Sequence, residues 1–170
     1  GQTGPPSAKR VIMELKTNKP SYPIYSGDID DEYSAALLNH IILAAHHASR
    51  DWTRAAVLIN QVVSEDKGLV GAMFCPFIVG DGQRFLGKWM SDDQSKEITR
   101  IVEKWQHRIG KSGYTNWSAI FVGVEKADNS QYKRIWIPEY RSDYGKWHIA
   151  DSDEVNWWAF HEGFSDKPAF

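Results

Sequence analysis

At 170 residues, with 42% hydrophobic and 25% charged residues, the chain has the size and composition of one globular domain, which excludes general disorder and a collagen-like repeat. A net charge of −2 excludes an overall basic surface suited to phosphate backbones or anionic membranes. The single cysteine, Cys75, excludes an internal disulfide and points to a reducing compartment, either a cytoplasm or one into which the chain is delivered.

The first residues, Gly1-Gln2-Thr3-Gly4-Pro5-Pro6-Ser7, read as a linker over residues 1–8, so one domain is expected over 9–170, excised or processed from a larger polypeptide. Lys9 to Leu15 reads as a short strand around Val11, Ile12 and Met13, and Pro20 and Pro23 hold the following chain in extended or turn geometry. The acidic group Asp28, Asp30, Asp31 and Glu32 suits the positive end of a helix dipole, and a long apolar helix is expected from there to about Ser49. Asp51 is placed to cap a second helix through about Ser64, with Ala55, Leu58, Ile59, Val62 and Val63 at helical spacing.

The run Leu69 to Val79 is continuous and apolar and is followed by Gly80-Asp81-Gly82 and Gln83-Arg84-Phe85-Leu86, which together predict a β-hairpin. Pro76 removes a ladder donor and so marks an edge, a bulge or a break in that strand. Ser91 with Gln94 forms a capping box for a helix whose inner face carries Ile98, Ile101, Val102, Trp105 and Ile109, ending near Gly110. Beyond Gly113, Trp117–Glu125, Tyr132–Glu139 and Lys146–Ala150 read as three strands of an antiparallel meander, and Val155–His161 fits either a short helix or a strand. The expected fold is α+β, with helices packed on an antiparallel sheet whose C-terminal part is a three-stranded meander. The longest apolar run, about 13 residues from Gly68 to Gly80, is shorter than the roughly 20 that a membrane-spanning helix requires.

Two constellations suggest hydrolase-type chemistry. Cys75, His148 and Asp151 supply a thiol, an imidazole to take its proton and a carboxylate to orient that ring. Against this, Cys75 lies in Met73-Phe74-Cys75-Pro76-Phe77, where a cysteine behaves as a small core residue. Glu139, Arg141 and His148 supply a base, a cation and an acid for metal-free phosphodiester cleavage if the last two meander strands lie side by side. The alternative there is a surface ion pair beside an unrelated histidine.

Lys96, Arg100, Lys104 and Arg108 repeat every four residues, a cationic stripe that would follow a phosphate backbone or serve as the solvated side of an amphipathic helix. Metal ligands could come from Asp28, Asp30, Asp31 and Glu32 or from His148, Asp151, Asp153 and Glu154, but neither set matches a full calcium loop. Adjacent His46 and His47 cannot share one helix face, although His40 and His47 are near-neighbours in projection, so helix capping and core histidines are the better reading and no metal or cofactor is expected. Eight tryptophans are too many for caps alone, so some rings, Trp136 and one of Trp157 and Trp158 among them, are expected to be exposed or at a binding surface where a sugar, base or partner protein could stack. The commoner alternative is two or three rings at the edge of the core.

No phosphate-binding loop, dinucleotide fingerprint, serine elbow or paired-cysteine zinc site is present. Cys75 to Arg84 departs from the AMP-transferring Fic loop in its first residue, in its spacing and in its strand-like context, and no family is recognised. Two functions fit the sequence, a small hydrolase domain of a larger, effector-like protein and a non-enzymatic binding or interaction module that uses exposed aromatics and could take a protein partner.

Overall fold

The computed structural model describes residues 28–164 except 65, 67, 81, 114 and 127–130. The strand expected at Lys9–Leu15 lies outside the described residues. The elements run α1 (Asp28–Ala48), β1 (Trp52–Ser64), β2 (Gly68–Gly80), β3 (Gln83–Leu86), α2 (Asp92–Lys111), β4 (Ala119–Lys126), β5 (Tyr132–Glu139), a 3-10 turn (Gly145–Trp147) and α3 (Asp153–Gly163). The five strands form one antiparallel sheet in the order β3-β2-β1-β4-β5. Helices pack on this sheet, so the fold is α+β as the sequence predicts. None of the described helices is long and apolar enough to cross a membrane.

The expected helix over Asp51–Ser64 is instead the central strand β1. Its apolar residues fitted a helical spacing because Ala55 to Ile59 are apolar without a break, and such a run fits many periods. The run is continuous because both faces of β1 are covered. Ala55, Val57 and Ile59 point into a core under α1 and α2, while Ala56 and Leu58 point into a second core under α3.

Lys146–Ala150 forms no strand. Tyr144 and Gly145 both take positive φ, at 70° and 52°, and turn the chain down onto the α3 face, where Trp147 is buried. The backbone bonds that a strand would have made go to the side chain of Asn60, which donates to the Trp147 carbonyl at 2.9 Å and accepts from the Ile149 amide at 2.9 Å. Three antiparallel strands do lie side by side on the C-terminal side of the sheet, with β1 joining β4 and β5.

The capping box of α2 forms as expected: Ser91 accepts from the Gln94 amide, and the Gln94 side chain accepts from the Ser91 amide. The helix runs to Lys111, one residue past Gly110, with Ser112 at its C-cap. Val155–His161 lies within α3, which turns Trp157, Phe160 and Phe164 onto Phe77 and Phe121. The Phe121 ring needs the two glycines beside it, because a Cβ on Gly163 or Gly123 would overlap its atoms.

Candidate functional site

Cys75 sits on β2 facing α3 and is 5% exposed. Burial, and then the negative charge of Asp153, push its thiol up to about 12, the opposite of what an activated nucleophile requires. His148 and Asp151 are exposed. The His148 ring stacks on Tyr144 with centroids 5.9 Å apart, and no hydrogen bond among the described residues joins it to Cys75 or Asp151.

Glu139, Arg141 and His148 do fall in one turn, but each is engaged in building it. Glu139 accepts from the amides of Tyr140 at 2.9 Å and Arg141 at 3.0 Å, and its carboxylate lies where a side chain on residue 145 would stand. Arg141 makes a two-pronged pair with Asp143, at 3.0 and 2.8 Å, rather than with Glu139. That pair and the Gly145 amide hold the Asp143 carboxyl well below the usual carboxylate range. The turn thereby fixes the left-handed Tyr144, whose hydroxyl donates to the Gln61 carbonyl on β1.

Lys96, Arg100, Lys104 and Arg108 lie along the exposed side of α2. Arg100 pairs with Glu97, and Arg108 reaches Glu32 of α1 at 3.9 Å, so half of the stripe is already neutralised locally. Trp136 is half-buried opposite Val122 and packs on the α1 and α2 core.

The histidines of α1 act as links. His40 donates to the Gln94 carbonyl at 2.9 Å, and His47 accepts from the Gln94 side chain at 3.3 Å. His46 accepts from the Trp52 indole at 3.2 Å and bonds the Tyr132 hydroxyl at 3.0 Å. Among the described residues no group of His, Cys, Asp and Glu is arranged to hold a metal, and the side chains of Asp28, Asp30 and Asp31 lie outside that description.

The residue that stands apart is Trp158. Of the eight tryptophans, all within the described residues, Trp52, Trp105, Trp117, Trp147 and Trp157 are buried, Trp89 and Trp136 are half-buried, and Trp158 is 68% exposed. Val155, one turn earlier on the same side of α3, is 54% exposed. Exposed Asp151, Asp153 and Glu154 lie at the start of the helix and exposed His161 towards its end. The adjacent pair Trp157-Trp158 carries this signal, since neighbouring side chains point in different directions in helix and strand alike. What the sequence did not show is which ring faces solvent, because that depends on where Phe77 lies.

The sequence matches no protein-family model and no curated protein.

Proposed function

We propose that this chain is a non-enzymatic interaction module that contacts a protein partner through the outer face of α3. The observation that carries this reading is the 68% exposure of Trp158 beside a second large exposed apolar residue, Val155. A helix already anchored by Trp157, Phe160 and Phe164 gains nothing in its own fold from an apolar outer face. Covering Trp158 in a partner's pocket would stabilise a complex by about 2–3 kcal/mol. The acidic group before and within the first turn of α3 supplies a polar rim that fits a cation beside that pocket. The hydrolase reading is weaker because its thiol keeps its proton in the core and its arginine is paired with Asp143. The buried, unpaired cysteine supports a reducing compartment as the place of action.

A photo-crosslinking side chain placed at Val155 should give one discrete adduct in an extract of the source cells, and Trp158→Ser in the same chain should remove it. The same group at Lys133, on the far edge strand, should give none. Identical adducts from both positions, or a catalysed turnover lost in His148→Ala, would overturn the proposal.

A further inference from the structure

Among the described residues, half of the outer edge of β2 has no partner strand. β3 pairs only with Phe77 to Gly80, and among the described residues no strand lies along the outer side of Gly68 to Cys75. The orientation of the backbone there follows from one bond. The Gly87 amide donates to the Pro76 carbonyl at 2.9 Å, which places the polar side of residue 76 on the outer edge. Alternation along a strand then points the N–H and C=O of Phe74 and Ala72 outward, and those of Cys75 and Met73 inward to β1. Pro76 is thus tolerated because its missing N–H would have faced outward.

Natural sheets guard such edges with lysine, proline or an inward charge. Here the one proline, Pro76, sits where Gly87 already bonds it, and no charged residue lies from Gly68 to Gly80, while Met73 is 53% exposed.

We infer that this edge pairs with the same edge of a second copy of the chain, antiparallel about a two-fold axis beside Met73. In that register Ala72 of each copy faces Phe74 of the other, and all four residues present outward N–H and C=O groups, so each facing pair exchanges two main-chain bonds. The Pro76 carbonyl, already used by Gly87, falls outside the pairing. No like charges oppose each other, and the two Met73 side chains meet at the axis on the α3 side of the sheet. A charged extended peptide would find no counter-ion along this edge, which favours the uncharged edge of a second copy. This inference is independent of the α3 proposal.

Strand pairing alone covers less than a standard interface, so the expected dissociation constant is about 10–100 μM. Sedimentation equilibrium of the full chain should show a monomer–dimer equilibrium in that range. By NMR, the amides of Ala72 and Phe74 should exchange at least about threefold more slowly at ~1 mM than at ~10 μM. Met73→Lys sets like charges together at the axis on an exposed side chain, and Ala72→Pro removes an outward N–H without touching the β1 ladder. Both should abolish dimer and protection, and Met73→Lys should keep the native circular dichroism even if Ala72→Pro disturbs the strand. A monomer at ~1 mM overturns the inference. Equal protection at both concentrations also overturns it, because the chain itself would then cover the edge. So does a dimer that survives Met73→Lys and is lost in Trp158→Ser.

Discussion

The two faces of the sheet are built by different means. Under α1 and α2 the core is largely aliphatic, from Leu37, Ile41, Val57, Ile59, Ile98, Val102, Ile120 and Val122, and polar links at its rim join one helix to the other through Gln94 and the α1 histidines. Under α3 the core is a stack of rings, with Phe121 against Trp147 at 5.1 Å and Phe164 at 5.3 Å, and Phe77 against Trp157 and Phe160 at 5.1 Å each. The aliphatic face is closed by two long helices, of which α2 turns a charged side to water while α1 leaves Leu43 58% exposed among polar neighbours. The aromatic face is closed by one short helix whose outer side, between charged ends, carries Val155 and Trp158, and this leaves a whole indole in solvent.

Removing a ring should therefore cost more than trimming an aliphatic chain. Phe121→Ala opens a cavity among rings that cannot collapse onto one another, with an expected loss of about 3–5 kcal/mol, whereas Ile120→Val, the neighbouring residue on the other face, should lose about 1 kcal/mol. Urea denaturation of both variants checks this, and equal losses would show that the two cores respond alike.

Cys75 probes the aromatic face from within. With its thiol pushed up to about 12, against an ordinary value near 9, alkylation at pH 8 should be about a thousandfold slower in the folded protein than in urea. Because the folded value is the raised one, the associated stability is complete below pH 9 and lost as the pH climbs towards 12. Cys75→Ala should flatten that alkaline decline, and fast labelling at pH 8 would reopen the nucleophile reading.

Asn60 tests how the aromatic face holds its loop. The residue is buried, and its side chain supplies both bonds to the Trp147–Ile149 segment. Asn60→Leu keeps the branched shape and the number of heavy atoms but adds bulk and strands a carbonyl and an amide, with an expected loss of about 2–4 kcal/mol in the same denaturation experiment. A loss below 1 kcal/mol would mean that water replaces the amide, and that the segment is held by Trp147 alone.

The sequence was most readable where local chemistry decides the structure. The Ser91 and Gln94 box, the turn after Gly80 and the strand limits of Tyr132–Glu139 all follow from neighbours in the chain. It was least readable where the partner is distant. Ala55 to Ile59 forms a strand because β2 and β4 flank it and helices cover both faces, information that no window around Asp51 contains. Lys146–Ala150 is drawn off the sheet by Asn60, 87 residues earlier for Trp147. The candidate site shows the same division. That Trp157 and Trp158 point apart was visible from their adjacency, whether in a helix or a strand, whereas the engagement of Glu139 and Arg141 in their own turn depends on the left-handed Tyr144 and Gly145.

The smallest expected effect compares how the helices of the two faces begin. Both start on serine, but Ser91 belongs to a reciprocal box whose Gln94 also meets His40 and His47, while Ser152 accepts a single bond from the Val155 amide at 3.4 Å. Ser91→Ala should cost about 1 kcal/mol and Ser152→Ala about half of that, read as shifts in the urea midpoint at unchanged slope. The order matters more than the size. If α3 depended on its cap as α2 does, Ser152→Ala would cost as much as Ser91→Ala, whereas a helix held down by Trp157, Phe160 and Phe164 should lose less.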